Sequence, residues 1–250
     1  MNILVVNDDG YEAPGLKVLV EALSRLKDTT VFVSAPKDHQ SAKSHAITIR
    51  RRIATFEADP IPGSVRTLVV DGTPADATRL GLKVFDDIDL VVSGINYGQN
   101  IAKDILYSGT VAAAWEAKVL GVNAIAISAP TPYLSYLPDE TVRIFKWLIT
   151  NGYHEGSGIL NINFPHDSHR VPKGIRFTTQ GLRFQRAEYV KSEHPDIFHI
   201  KSSLVGYKEA VTTDVEAYNN GYVSITPLTL ERTDMSWFDA LSKHATDIVD

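Results

Sequence analysis

The first fifteen residues constrain the fold of this chain more than any other segment. Ile3 to Val6 is a continuous apolar run, which is typical of a strand buried on both faces of a parallel sheet. The run leads directly into Asn7-Asp8-Asp9-Gly10. In doubly wound α/β folds, ligands bind at the carboxyl edge of the strands. We therefore expect Asp8 and Asp9 to place two negative charges at that edge.

The alternation of strand and helix patterns continues from this start. Pro14 opens a segment with apolar residues at helical spacing, and Thr30 to Ser34 is a second apolar run. A strand, a helix and a second strand in this order predict parallel pairing with a right-handed crossover. Further strands are predicted at 89–93, 124–128 and 158–164, and further helices at 73–85, 111–120 and 139–149. The pattern predicts an α/β fold, a Rossmann-like three-layer sandwich with a mostly parallel sheet.

Other segments break this alternation. Residues 47–56 alternate between apolar and polar side chains, which favours a half-exposed strand in a hairpin with 65–70. Residues 182–215 are polar with little periodicity, and we expect a protruding hairpin arm there. A late strand at 222–226 and a terminal amphipathic helix at 234–248 follow. We therefore divide the chain into an α/β catalytic core at 1–170 and an extension at 171–250.

Composition excludes several classes of function. The 250 residues carry a net charge of −5, which argues against a nucleic-acid polymer or an anionic membrane as the main partner. Thiolate catalysis, zinc–thiolate sites and iron–sulfur clusters are excluded because the chain contains no cysteine. No apolar stretch approaches the roughly 18 residues typical of a transmembrane helix, and no signal peptide is visible. We expect a soluble, cytoplasmic protein without a membrane partner.

The Asp8-Asp9 pair suggests a metal site. Adjacent carboxylates converge only where a strand ends, and they repel each other unless a cation neutralises them. Hard oxygen ligands suit magnesium, manganese or calcium. Two alternatives stay open at this point: a solvated Asp-Gly turn that caps the next helix, and a receiver domain, which also has acidic residues after its first strand.

Ser108-Gly109-Thr110 precedes an alanine-rich helix. Free backbone N–H groups at a helix N-terminus bind anions, glycine admits a phosphate closely, and the two hydroxyls add donors. An ordinary N-cap is the alternative explanation. A P-loop or a dinucleotide-binding protein is disfavoured, since neither glycine-rich signature occurs in the sequence.

Two more loops follow predicted strands. Asn96 lies between glycines after the strand at 89–93, so its amide is available to a metal or a phosphate; a turn residue bonded to its own backbone is the alternative. Ser41 lies in the loop after the second strand, although a serine hydroxyl is a weak ligand. His39 and His45 in the same loop are candidates for a general acid.

Eight short motifs occur in order along the chain. They are 7–10 with 13–15, 35–36 with 40–41, 72–76, 92–100, 107–114, 160–165, 213–214 and 221–228, reading NDDG with APG, AP with QS, GTPAD, VSGINYGQN, YSGTVAAA, LNINFP, TD and GYVSITPL. Together they resemble the SurE family, the survival-protein nucleotidases.

The resemblance implies a metal-dependent phosphatase that acts on nucleoside 5′- and 3′-monophosphates and sometimes on short polyphosphate. It also implies a homodimer or homotetramer in which the C-terminal part exchanges between subunits. The metal ligands that it implies are Asp8, Asp9, Ser41 and Asn96. Two features depart from the family pattern: Ala42 replaces a glycine that many members have after the serine, and residues 182–215 match poorly.

These observations combine into one mechanistic hypothesis. One Mg²⁺ or Mn²⁺ ion binds the four implied ligands, and the substrate phosphate bridges that ion and the N–H groups of Gly109 and Thr110, with Asn96 and Ser108 donating hydrogen bonds. The nucleophile is either metal-bound water or the Asp8 carboxylate. The alternatives are a receiver-like regulatory domain, for which the chain is twice the length needed, and a metal-dependent nucleotide-binding transferase.

Overall fold

The computed structural model describes residues 1–169, 171–194 and 196–243. Its strands are β1 (Asn2–Val6), β2 (Thr30–Pro36), β3 (Thr55–Ala58), β4 (Arg66–Val70), β5 (Leu90–Tyr97), β6 (Asn123–Ala129), β7 (Ile159–Asn163), β8 (Ile175–Phe177), β9 (Phe184–Lys191), β10 (Phe198–Val205) and β11 (Val223–Leu228). Its helices are α1 (Pro14–Ser24), α2 (Pro74–Val84), α3 (Gly109–Val119), α4 (Leu137–Thr150), α5 (Asp214–Asn219) and α6 (Met235–Ser242), with a 3₁₀ helix at Ala102–Leu106. Within these ranges, no helix is long and apolar enough to cross a membrane.

Nine strands form one sheet in the order β3-β4-β2-β1-β5-β6-β7-β11-β8. The six strands from β4 to β7 in this order are parallel. β3 pairs antiparallel with β4 at one edge, and β11 pairs antiparallel with β7 near the other. The mostly parallel α/β sheet predicted from the sequence is therefore confirmed, with β1 and the residues that follow it at its centre.

Helices cover both faces of the sheet and make three layers. On one face, α1 and α4 pack on the sheet through a core that includes Leu16, Leu19 and Phe145, all fully buried. On the other face, α2 and α3 pack through a second core that includes Ala113 and Ala114. The small side chains of α3 allow it to lie close to the sheet, so the start of this helix comes near the end of β1.

Two sequence predictions near the site were wrong in extent. The strand predicted at 47–56 begins only at Thr55, although its hairpin pairing with β4 is as expected. Side-chain contacts hold the preceding residues instead, since Thr48 donates its N–H and its hydroxyl to the Asp76 carboxylate. The predicted loop at 94–100 is also partly strand, because β5 continues to Tyr97 past an irregularity between Ser93 and Asn96.

The extension also differs from its prediction in detail. The arm is an antiparallel hairpin of β9 and β10, but it ends before 215, because residues 214–219 form the buried helix α5 with Thr213 as its N-cap. The predicted terminal helix is present as α6, with Asp234 as its N-cap, and the part of the prediction from 244 to 248 lies outside the described residues. Both β8 and β11 of the extension join the nine-stranded sheet.

Candidate metal and phosphate site

A cavity of about 480 Å³ opens at the carboxyl edge of the parallel strands. It collects four of the residues that the sequence singled out. Its lining residues are Asp8, Ser41, Ala42, Asn96, Tyr97, Gly98, Gln99, Asn100, Asp104, Tyr107, Ser108 and Gln185. Residues from five separate segments of the chain therefore meet at one place, where open α/β sheets bind their ligands.

Asp8 is the most deeply buried acid of this cavity, with only 3% of the residue exposed. Burial raises the pKa of Asp8 from 3.8 to about 6, a hydrogen bond from Thr110 opposes this shift, and the neighbouring Asp9 charge adds to it. The Thr110 hydroxyl lies 2.5 Å from Oδ1 of Asp8. A buried carboxylate of this kind is stabilised by a cation, because desolvation penalises its charge.

The N-terminus of α3 packs directly against Asp8. A Cβ atom added to Gly109 would lie 2.8 Å from Cβ and 2.9 Å from Oδ2 of Asp8, so only glycine fits there without a shift. Ser108 is the N-cap, and its Oγ accepts a hydrogen bond from the N–H of Val111. Helix geometry leaves the N–H groups of Gly109 and Thr110 without acceptors inside the helix.

Asp9 lies beside the cavity and is held by two contacts. Its Oδ2 accepts a hydrogen bond of 3.0 Å from the N–H of Tyr97, and its Oδ1 lies 3.3 Å from Nδ1 of His39. Gly10 follows with a φ of +100°, a conformation that glycine adopts at little cost. Gly10 therefore lets the chain turn directly after the acidic pair.

Asn96 is fixed with its amide oxygen available. Its Nδ2 donates to the carbonyl of Gly98 across 2.8 Å, which orients the amide. Only 8% of Asn96 is exposed, and that surface faces the cavity. The side chain can therefore offer Oδ1 as a neutral oxygen ligand next to Asp8.

Ser41 is exposed at the cavity rim, and its loop is tied to the end of β1. The N–H of Gln40 donates to the carbonyl of Asp8 across 2.7 Å. Ala42 has a φ of +59°, which is the left-handed region where a side chain is disfavoured. Glycine, which the family resemblance leads us to expect at this position, would suit that backbone better than alanine does.

Neither His39 nor His45 is among the residues that line the cavity. His39 faces Asp9, and Nε2 of His45 lies 2.7 Å from Oε2 of Glu116. Glu116 is almost fully buried and also accepts a hydrogen bond from Arg79. His45 is thus engaged in holding the loop onto α3, while His39 is the histidine nearer to the acidic pair.

Some residues of the cavity wall were not predicted from the sequence, and Asn100 and Gln185 are two of them. Asn100 is held by an asparagine network, since its N–H donates to Asn163, its carbonyl accepts from Asn161, and its Nδ2 donates to Ser128. Two asparagines in the otherwise apolar strand β7 were the available signal. Gln185 belongs to the arm, and no local pattern connects it to the cavity.

The donor set fits a hard divalent cation. Two carboxylates, an amide oxygen and a hydroxyl are oxygen ligands of the kind that Mg²⁺ and Mn²⁺ prefer. The described residues contain no cluster of three or more histidine, cysteine or acidic side chains suited to a metal. A cation at this edge would therefore need the amide of Asn96 and the hydroxyl of Ser41 beside Asp8 and Asp9.

Comparisons with known proteins identify the family of the chain. The family model of the survival protein SurE matches residues 3–187. The chain belongs to the SurE family. A SurE 5′-nucleotidase from Clostridium beijerinckii is 36% identical, with 97% of this chain and 98% of the relative covered. The 5′-nucleotidase SurE 1 from Thermus thermophilus is 39% identical over 97% of both chains.

A solved structure of a SurE-family protein has the same fold. The crystal structure of the SurE protein from Aquifex aeolicus superposes with a TM-score of 0.79 at 34% sequence identity, covering 97% of this chain and 99% of that chain. The family resemblance and the fold class expected from the sequence are both confirmed. Similarity over nearly the whole length also disfavours the receiver-like alternative, which would account for only part of the chain.

Proposed function

We propose that this chain is a divalent-metal-dependent phosphomonoesterase that hydrolyses nucleoside 5′-monophosphates, and also 3′-monophosphates and short polyphosphate. The observation that carries the proposal is the single cavity lined by Asp8, Ser41, Asn96 and Ser108. Carboxylate, amide and hydroxyl oxygens occur together there beside a helix N-terminus, which supports the proposal. The 5′-nucleotidase names of relatives that match the chain from end to end support the same activity.

Asp8, Asp9, Ser41 and Asn96 would hold one Mg²⁺ or Mn²⁺ ion. When bound, the cation neutralises the charge of the phosphoryl oxygens during transfer. The burial of Asp8 and the fixed amide of Asn96 support this assignment. Asp9 would be the second carboxylate of the set, since the N–H of Tyr97 and the nearby His39 side chain hold it beside the cavity.

The start of α3 would bind the phosphate. Ser108 lines the cavity, while Gly109 and Thr110 are buried next to it and are not among the lining residues. Their N–H groups have no acceptor inside the helix. The second N–H of the Asn96 amide, the one not bonded to Gly98, would donate to the phosphate as well. Phosphoryl transfer depends mainly on positioning and on charge stabilisation, and these fixed backbone and side-chain donors provide both.

The reaction replaces one phosphorus–oxygen bond by another. A nucleophile oxygen forms a bond to phosphorus, the bond to the nucleoside oxygen breaks, and a proton reaches that leaving oxygen. With water as the nucleophile, phosphate is released in one step. With the Asp8 carboxylate as the nucleophile, water hydrolyses an aspartyl-phosphate in a second step, and trapping that species would rule out direct attack by water.

We also propose that the extension at 171–250 serves oligomerisation, as a homodimer or homotetramer with C-terminal exchange. In the described residues, α6 buries none of its side chains, and Met235, Trp237, Phe238 and Leu241 are each more than half exposed. An apolar helix of this kind is stabilised by a second chain. Light scattering of the full chain and of a chain ending at 233 would test this, with a shift to monomer expected on truncation.

One assay tests the proposed activity. Phosphate release is measured from AMP, from p-nitrophenyl phosphate and from a phosphodiester, with Mn²⁺ and with EDTA. Release from the two monoesters only, abolished by EDTA, is expected. Stable phosphorylation of the protein without turnover would support the receiver-like alternative, and nucleoside diphosphate binding without phosphate release would support the transferase.

A further inference from the structure

A buried arginine lies behind one wall of the cavity. Arg183 immediately precedes β9, and its side chain is only 9% exposed. Its Nε and Nη2 have no hydrogen-bond partner among the described residues. Nη2 lies 3.9 Å from Oδ2 of Asp104, which is near enough for an ion pair but too far for a hydrogen bond. A buried guanidinium with free donors is costly, so a shift that closes the gap between Arg183 and the Asp104 carboxylate would be favourable.

Asp104 presents a carboxylate to the cavity. It lies in the 3₁₀ helix four residues before Ser108, and it is one of the lining residues. Its side chain is 19% exposed. Because a carboxylate repels a phosphate, Asp104 suits a part of a substrate that donates hydrogen bonds. An ionised carboxylate accepts from hydroxyl or N–H groups only.

The extension holds the 3₁₀ helix in place from the other side. The Arg183 carbonyl accepts a hydrogen bond from the N–H of Lys103, and Gln180 donates to the Ala102 carbonyl. The N–H of Ala102 donates to the buried carboxylate of Asp214. The position of Asp104 is therefore set by residues of the extension as well as by the core.

We propose that Asp104 is a specificity residue that accepts hydrogen bonds from the ribose hydroxyls of the nucleotide, and that Arg183 is the positioning residue that orients its carboxylate. The inference rests on the proposed nucleotidase function and names the part of the substrate that this wall recognises. A carboxylate can accept from two neighbouring hydroxyls at once, as acidic residues do in dinucleotide sites. Ribose is common to all nucleotides, so this contact selects nucleotides over simple phosphomonoesters without selecting a base.

The test compares substrates that share a phosphate but differ in the sugar. For Asp104→Asn, kcat and KM are measured with Mn²⁺ on AMP, 2′-deoxy-AMP and p-nitrophenyl phosphate. The ratio of kcat/KM for AMP to that for p-nitrophenyl phosphate is expected to fall about 10- to 100-fold, mainly through KM. The kcat/KM for 2′-deoxy-AMP is expected to fall less in Asp104→Asn than the kcat/KM for AMP, because the deoxyribose lacks one of the two hydroxyl donors.

Arginine variants and a matched control complete the experiment. Arg183→Gln should reproduce the loss of AMP preference, and Arg183→Lys, which keeps the charge, should partly restore it. Glu188→Gln changes an exposed carboxylate of the arm and should leave the substrate ratio unchanged. If Arg183→Gln melts below the assay temperature, the inference is tested by Asp104→Asn alone, through its ratio of kcat/KM for AMP to kcat/KM for p-nitrophenyl phosphate.

Two results have distinct meanings. An unchanged AMP preference in a folded Asp104→Asn variant would overturn the inference while the nucleotidase activity stands. No phosphate release from AMP or from p-nitrophenyl phosphate by the unaltered chain would instead overturn the proposed function.

Discussion

The hydroxyl of Thr110 lies 2.5 Å from Oδ1 of Asp8, although 102 residues separate the two in the chain. The hydrogen bond joins the first turn of α3 to the end of β1. It also joins the proposed phosphate-binding segment to the proposed metal ligand. Because the Thr110 hydroxyl donates to the Asp8 carboxylate, it favours the ionised form that a metal requires.

Removing this hydroxyl tests its role. Thr110→Val keeps the shape of a fully buried side chain but leaves Asp8 without its donor. A hydrogen bond to a charged group contributes about 1.5–3 kcal/mol, so Mn²⁺ affinity should fall roughly 10- to 100-fold. Titration of the chain with Mn²⁺ measures the change. Thr110→Ser, which keeps the hydroxyl, is the matched control, and equal affinities in both variants would contradict the role.

The pKa of Asp8 makes a prediction for the metal-free protein. Its folded value of about 6 lies above the ordinary 3.8, so the folded state binds more protons than the unfolded state between these values. The ionised carboxylate therefore destabilises the metal-free fold, and this effect is complete above pH 6 and absent below about pH 4. Asp8→Asn should stabilise the EDTA-treated protein at pH 7.5 by up to about 3 kcal/mol.

Urea unfolding with EDTA at two pH values measures this effect. The stabilisation by Asp8→Asn should shrink as the pH is lowered from 7.5 to 4.5, since protonation then neutralises Asp8 in the parent chain too. If Asp8→Asn changed the free energy of unfolding by the same amount at both pH values, Asp8 would have an ordinary pKa.

Gly109 gives a steric prediction. A Cβ at this position would lie 2.8 Å from Cβ of Asp8, so Gly109→Ala must displace the carboxylate or the start of α3. We expect phosphate release to fall at least about tenfold, because small displacements of catalytic groups are costly. Gly156→Ala is the control, since nothing lies within 4 Å of its added Cβ. Similar activity in both variants would mean that Gly109 is not needed for close packing.

Ala42 gives a stability prediction. Its φ of +59° disfavours any side chain by about 1–2 kcal/mol. Substitution by glycine removes this strain, but the greater entropy of glycine in the unfolded state offsets part of the gain in stability. Ala42→Gly should therefore stabilise the chain by roughly 0.5–1 kcal/mol. Thermal unfolding monitored by circular dichroism checks the sign, and a lower melting temperature would contradict it.

The sequence predicted the sheet and its site edge because both follow from local patterns. The apolar runs of β1, β2 and β6 are local signals. The start of α2 is another, because Thr73 and Asp76 form a capping box there. The positions of Asp104, Arg183 and Gln185 do not follow from local patterns, since they depend on where the extension packs. For the same reason, helix α5 was missed within a segment of low periodicity.

The role of each residue at the site was harder to predict from the sequence than the fact that it belongs to the site. Ser108 lines the cavity, whereas Thr110 is buried behind Asp8 and acts on it through a hydrogen bond. No spacing rule distinguishes these two neighbours. The cytoplasmic location and the division of the chain at 170 stay predictions.

The most direct test of the account is the binding of Mn²⁺, followed by electron paramagnetic resonance, to the unaltered chain and to Asp8→Asn. Asp59→Asn, which changes an exposed acid away from the cavity lining, is the control. One bound Mn²⁺ per chain is expected, with binding retained by Asp59→Asn and lost or weakened at least about 100-fold by Asp8→Asn. Binding of equal stoichiometry and affinity in Asp8→Asn would contradict the assignment of the metal site to the end of β1.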